Sequence, residues 1–234
     1  MSEPVTKKAK TMPVNYKDND PKFPEGHEAP FLKLFTSTTT NGRKVDILLE
    51  LIGQEYISRV FKDFRGETKE SWFVELNPNK QIPVIEDVDA EGKPFILAES
   101  GAILQYIANK YDTEHKASYA FNTPLYWEQT QVLFFHASNL GPKQTAFNIG
   151  KANGVAEVDQ LKAKLAEAYQ FFEDKLAANS AGFLVGDHIS LADIIAIAHA
   201  KGAAEPLEFD SKFPHLAKWV AKLSEIPAIK KVFT

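Results

Sequence analysis

Residues 31–36 (F-L-K-L-F-T) alternate apolar and polar side chains at the period of a half-buried strand. A polar turn, S-T-T-T-N-G, follows over residues 37–42. Val45, Leu48, Leu49 and Ile52 then stand at i, i+3, i+4, i+7 spacing, which predicts an amphipathic helix stopped at Gly53. Residues 56–61 read as a second strand, and residues 70–76 as a short helix ended by Asn77-Pro78. Pro83 opens a third strand over residues 83–86, because its missing N–H is tolerated at a strand's first residue. The turn-rich D-V-D-A-E-G-K-P (87–94), a strand over 95–98 and a helix running from Glu99-Ser100 to Tyr111 complete this half. Strand–helix–strand units favour parallel crossovers, whereas the short 87–94 link makes the last two strands an antiparallel hairpin. The order β-α-β-α-β-β-α predicts a thioredoxin-like sheet.

From about residue 123 the pattern is helical. Residues 123–138 carry Leu125, Tyr126, Trp127, Val132, Leu133, Phe134 and Phe135, a stripe read first as core. Residues 155–178 place Leu161, Leu165, Ala168, Phe172 and Leu176 on one face. After a turn at 182–186, Ser190-Leu191-Ala192-Asp193 has the form of a capping box, with Asp in the usual Glu place, and opens the apolar L-A-D-I-I-A-I-A-H-A helix. Residues 212–223 and a tail through Phe233 close the bundle. The expected class is α/β plus all-α. Its parts are an arm over 1–30, a thioredoxin-like domain over 31–111, a polar link over 112–122 and an all-helical domain over 123–234. The arm is polar with five prolines, a composition that cannot bury enough surface to offset chain entropy, so it is expected to be mobile. Lys7, Lys8 and Lys10 within it read as a solvated tail rather than a nuclear signal.

Composition narrows the chemistry. Of 234 residues, 44% are apolar, and 27 Lys and Arg stand against 31 Asp and Glu, a net charge of −4. That balance offers no general attraction to nucleic acid or to an anionic membrane. No apolar run approaches about 18 residues and no leader pattern opens the chain, so a soluble cytoplasmic protein is expected. Cysteine is absent, which removes disulfides, thiolate metal sites and a protein-borne sulfur nucleophile. If sulfur chemistry occurs, the ligand brings the sulfur. Dinucleotide, P-loop and H-E-x-x-H signatures are missing, and the six histidines lack metal-ligand spacing, so no metal is expected. His136 and His199 fall on apolar helical patterns and read as packed, hydrogen-bonded core residues.

Two corners hold candidate chemistry. Ser100, at a helix N-terminus, sits where unpaired backbone N–H groups meet the positive end of the helix dipole. That corner can hold a carboxylate while Glu99 holds an ammonium, and one α-amino acid head group presents both charges. The hydroxyls and Asn41 between the first strand and first helix suit N-capping.

Three segments, in order and at their spacing, carry a resemblance: N-P-N-K-Q-I-P-V (77–84), E-S-G-A-I-L-Q-Y-I-A (99–108) and G-D-H-I-S-L-A-D-I (186–194). From Phe31 onward the chain resembles a cytosolic glutathione transferase. T-x-N-G-x-K-V (39–45) and L-F-F-H-A-S (133–138) are similar to the fungal group that includes a prion-forming nitrogen regulator, and to the related bacterial nu class. The resemblance implies a cis peptide before Pro83 and pairing of the Ile82 backbone with the cysteinyl part of glutathione. It also implies that Glu99 and Ser100 hold the γ-glutamyl amine and carboxylate, and that Gln81 lines the ligand site. No tyrosine follows the first strand, and the only one before it, Tyr16, lies in the arm. The matching loop therefore puts Thr39 and Asn41 nearest the sulfur as catalytic groups, with Ser37, Thr38 and Thr40 close by in sequence. The implied reaction is ionisation of the glutathione thiol and its transfer to an electrophile or peroxide. A hydrophobic electrophile would lie between the 36–40 loop and the aromatic helix around 127–135, in a twofold homodimer. Two alternatives stay open: glutathione-dependent disulfide or peroxide reduction, and a non-catalytic glutathione-binding regulator. Residues 150–175 contain no arginine, although bacterial members use one there; Lys151, Lys162 and Lys164 lack its planar fork. The regulator's asparagine-rich segment is likewise absent.

Overall fold

The computed structural model describes residues 29–234. Apart from its last two residues, the arm expected over 1–30, with its lysines and Tyr16, lies outside the described residues.

The first half forms one four-stranded sheet. It contains β1 (Phe31–Thr36), α1 (Thr40–Ile52), β2 (Ile57–Val60), the one-turn α2 (Phe64–Glu67), α3 (Ser71–Leu76), β3 (Val84–Val88), β4 (Pro94–Ala98) and α4 (Ser100–Tyr111). The spatial order is β2-β1-β3-β4, with β1 and β2 parallel and the other two pairings antiparallel. This is the thioredoxin-like arrangement. Alternation along β1 explains its two faces. Leu32 and Leu34, the latter paired with Ile85, join Val45, Leu48, Ile103 and Ile107 beneath α1 and α4. Phe35, paired with Val84, faces the other way into a small cluster with Phe61, Phe73 and Ile82.

Several boundaries differ from the sequence reading. β3 begins at Val84, after Pro83 rather than on it, and the hairpin extends further than its turn-like composition suggested. Asp89 accounts for that: its Oδ1 accepts from Glu91 N (3.1 Å) and Lys93 N (2.8 Å), closing the turn within residues 89–93. The Ile82–Pro83 bond is cis.

The second half is helical: α5 (Pro124–Phe135), a π-helical segment (His136–Leu140), α6 (Gly141–Asn153), α7 (Val158–Ala178), α8 (Leu191–Ala203), α9 (Phe209–Lys212), α10 (Pro214–Ser224) and α11 (Pro227–Phe233). Helix α6 was not legible in the sequence. Its buried face is Gln144, Phe147 and Gly150, too polar and too small to make an apolar stripe. Pro142 falls in its first turn, where a missing N–H is tolerated. The capping box at α8 forms, with Asp193 Oδ2 accepting from Ser190 N at 3.0 Å. Asp193 also accepts from Leu184 N (2.9 Å) and Trp219 Nε1 (2.8 Å), so one buried carboxylate ties α8 to the preceding turn and to α10.

Helix α1 joins the two halves, since it packs on α4 within its own half and on α8 and α11 from the other. Lys231 of α11 bonds both Glu50 oxygens at 2.8 Å, and Arg43 and Lys201 lie over the Phe233 ring.

Candidate functional site

The β1–α1 turn sets the first wall. Thr39 is the N-cap of α1, and its Oγ1 accepts from Gly42 N at 3.2 Å. The hydroxyl thereby serves the cap and keeps its own proton to donate. Gly42 is required by close approach, because a Cβ there would overlap Ser37 O and Thr36 Oγ1. Asn41, one residue into the helix, is exposed, and its Oδ1 accepts from Lys44 Nζ at 2.8 Å. Thr40 Oγ1 lies 3.4 Å from His199 Nε2.

The β4–α4 corner sets the second wall. Glu99 is the N-cap of α4 with φ 72 and ψ 111, a positive φ that non-glycine residues adopt only when their surroundings hold them there. Its side chain makes no cap hydrogen bond, so the first amides of α4 are left for a ligand. Glu99 is exposed and Ser100 half-buried.

Both walls open on one cleft of ≈ 520 Å³. Asn41 and Lys44 line it from α1, and Glu99, Ser100 and Gly101 from the start of α4. His136 and Ala137 come from the π-helical segment, Thr145 and Ile149 from α6, and His199 from α8. A slightly larger hollow of ≈ 570 Å³ between Leu125, Lys175 and Asp187 touches none of the residues expected to hold glutathione. The smaller cleft is the candidate site because the charged groups converge there.

Burial sets the charge states. Lys44 is 1% exposed. Burial pushes its ammonium down from 10.5 to about 7, with Glu99 pulling the other way. His136 Nε2 lies 3.2 Å from His199 Nδ1, and burial holds both imidazoles well below the usual 6.5, with Lys44 adding to the effect. The pair is therefore neutral near pH 7 and shares one N–H between its rings.

Of the residues singled out from the sequence, Asn41, Glu99 and Ser100 line this cleft. Thr39, Gln81, Ile82 and Pro83 do not. Gln81 is exposed with its carbonyl accepting from Asn77 Nδ2 at 2.8 Å, and Ile82 is buried among Phe35, Phe61 and Phe73. Residues 127–135, expected to face a second substrate, do not line this cleft. Trp127 and Phe134 are exposed outside the cleft, Val132 and Leu133 are in the core, and the π-helical segment and α6 supply the wall instead. The chain runs on from α5 through the π-helical segment into α6 without a break. Lys151, Lys162 and Lys164 also lie outside the lining. The sequence assigns Lys44 no role beyond its place in T-x-N-G-x-K-V, although a lysine three and four residues ahead of the buried Ile47 and Leu48 is a usable signal. Among the described residues no group of three or more His, Asp or Glu could hold a metal ion, and no helix is long and apolar enough to cross a membrane.

Two family models match the chain. That of the glutathione S-transferase N-terminal domain covers residues 30–109, and that of the C-terminal domain covers residues 124–227. Glutathione S-transferase 2 of Schizosaccharomyces pombe is 30% identical over 212 residues, spanning 82% of this chain and 90% of the relative. A glutathione transferase homologue from Lodderomyces elongisporus, solved with two GSH per subunit, is 37% identical with a TM-score of 0.78, covering 87% of this chain and 97% of that one. Glutathione transferase URE2P6 from Phanerochaete chrysosporium, solved with oxidized glutathione, is 32% identical with a TM-score of 0.79, covering 86% and 94%.

Proposed function

The chain belongs to the glutathione S-transferase family, with Ure2-like members among its relatives, and from that premise we propose that it binds glutathione in the cleft and transfers its thiolate to a second substrate. The observation that carries this reading is the convergence of Glu99, Ser100 and Asn41 on one cavity. Glu99 takes the γ-glutamyl ammonium, while Ser100 and the uncapped amides of α4 take the adjoining carboxylate. The cysteinyl unit extends past the cleft's lining to the Ile82 backbone, with Gln81 beside it, as the family resemblance implies. The thiol then faces the start of α1.

Ionisation is the step the protein must favour. A free thiol has a pKa of about 8.5, and each unit of depression corresponds to about 1.36 kcal/mol of preferential stabilisation of the thiolate. Asn41 Nδ2–H, the Thr39 hydroxyl and the positive end of α1 supply donors and potential of the right sign. The thiolate attacks an electrophilic carbon, forming an S–C bond as the leaving group departs with its electron pair. With a peroxide it attacks the terminal oxygen, the O–O bond breaks and the alkoxide leaves to be protonated to the alcohol; a second glutathione then displaces water from the sulfenic acid to give the disulfide.

A second reading, glutathione-dependent disulfide or peroxide reduction, is favoured by relatives solved with two GSH or with oxidized glutathione. The far wall of the cleft (His136, His199 and Thr145) is polar enough to receive a second peptide. We also propose a cytoplasmic homodimer. Phe95 and Ile96 on edge strand β4 and Trp127 and Phe134 on α5 remain exposed, and such apolar surface suits an isologous contact.

Calorimetric titration with glutathione tests the site. Loss of the charge-assisted pairing in Glu99→Ala is expected to weaken binding by about tenfold or more; unaltered affinity would overturn the assignment. Assays on a chlorinated aromatic and on a mixed disulfide then separate the two activities. Glutathione binding without turnover on either, or on peroxides, would mark a non-catalytic binder.

A further inference from the structure

An asparagine amide has two opposed edges. Its Nδ2–H2 edge donates and would favour a thiolate, whereas its Oδ1 edge accepts and would repel one. Asn41 is exposed at the mouth of the cleft, and packing does not decide between them. Its partner does. Lys44 stands three residues on, on the same side of α1, and its Nζ bonds Asn41 Oδ1 at 2.8 Å. Charged, the lysine nitrogen has three donors and no acceptor; neutral, it still keeps two N–H donors, so in either state it can bond the oxygen as it does here. Once Oδ1 is held over Lys44, the Nδ2 edge is left for the cleft.

The neighbouring groups do not share this task. His136 and His199 bond each other, and His199 also meets Thr40; neither bonds Asn41. Glu99, the acid facing Lys44, sits across the cleft at the start of α4. Burial on α1 fixes the Lys44 stem, so the ammonium is delivered to one place.

We propose that Lys44 is a positioning residue: it fixes the Asn41 amide with its donating edge toward the ligand sulfur, and it polarises that amide by bonding its oxygen. The inference rests on the reading of Asn41 as a thiolate donor and goes beyond it by naming what orients the amide.

The test uses the whole protein with glutathione bound. The thiol pKa is read from thiolate ultraviolet absorbance, and affinity from calorimetry, for Lys44→Met, Lys44→Arg, Asn41→Ala and the Lys44→Met/Asn41→Ala double variant. Lys44→Met is expected to raise the bound thiol's pKa by about one unit, a roughly tenfold fall in thiolate fraction below that pKa. Glutathione affinity, measured below the bound thiol's pKa where both proteins hold the protonated thiol, should change by less than about twofold. Lys44→Arg, which restores a donor to Oδ1, should recover part of the shift. In the Asn41→Ala background the Lys44 change should add little, as required of a residue that acts through another. An unchanged thiol pKa in Lys44→Met, beside a raised one in Asn41→Ala, would overturn the role of Lys44 and leave the proposed site standing. A full additional shift in the double variant would overturn it too, since the lysine would then act directly by its charge. No shift in Asn41→Ala would remove the donor role of Asn41, and the role of Lys44 with it.

Discussion

Replacing Lys44 by methionine should make the protein more stable, in a way that depends on pH. Folding takes this ammonium from water to a site 1% exposed, and its pKa falls from 10.5 to about 7. At about 1.36 kcal/mol per pKa unit, that gap corresponds to about 5 kcal/mol of destabilisation wherever the lysine is charged in both states. At pH 7 half of the folded molecules have already lost the proton, which reduces the cost to about 4 kcal/mol. Loss of the hydrogen bond to Asn41 returns about 1 kcal/mol, so Lys44→Met is expected to gain about 3 kcal/mol at pH 7. Between about pH 7 and 10.5 the folded state binds fewer protons than the unfolded one, so wild-type stability rises with pH across that window. The advantage of the variant shrinks accordingly. The charge penalty it escapes is down to about 1.5 kcal/mol at pH 9.5, and it vanishes above the ordinary lysine pKa. Glu99, His136 and His199 are the titratable groups that face Lys44; Glu99 works against the depression, and the neutral imidazoles add no charge. Urea unfolding of both proteins at pH 7 and 9.5 measures the difference. A variant less stable than wild type at pH 7, or an advantage that does not change with pH, would refute the reasoning. Stability gained while the sulfur loses its oriented donor would be a direct case of stability given up for function.

Asp193→Ala strands the N–H groups of Ser190, Leu184 and Trp219 in the core and should cost about 4 kcal/mol, read as a lower urea midpoint at constant slope; a loss under about 1 kcal/mol would contradict the network. Gly42→Ala drives a methyl group into Ser37 O and Thr36 Oγ1, so the turn that carries Thr39 and Asn41 must move. About 1–3 kcal/mol of stability and most of the activity should be lost together, and a wild-type melting curve with full activity would refute the close fit. Phe134→Glu, at a side chain 67% exposed, should leave folding intact by circular dichroism while sedimentation shows a shift toward monomer; an unchanged mass would remove α5 from the dimer contact.

The readable parts of the chain were those whose signals are local. Alternation in β1, the Leu48 stripe of α1 and the Ser190–Asp193 box each act over a few residues, and each formed in place. Glu99 and Ser100 were legible because a helix start has the same unpaired amides wherever it occurs. Helix α6 was hidden because Gln144 and Gly150 pack through hydrogen bonding and smallness rather than hydrophobicity: Gln144 donates to His199 O at 2.9 Å and accepts from Tyr169 at 2.6 Å. The Lys44–His199–His136 group was out of reach for another reason. Its members lie up to 155 residues apart, and they meet only because α1 packs on α8. The far side of the cleft was hidden because apolar periodicity does not register the π-helical segment that supplies His136 and Ala137 to it.

The backing of α1 by α11 gives remote residues leverage over reactivity. Lys231 grips Glu50 near the C-terminal end of α1, and Phe233 backs Arg43 two residues from Asn41 at the other end. A substitution in that last helix therefore works like a screw on the far side of an optical mount: it touches no ligand, yet it tilts the component that must stay aligned.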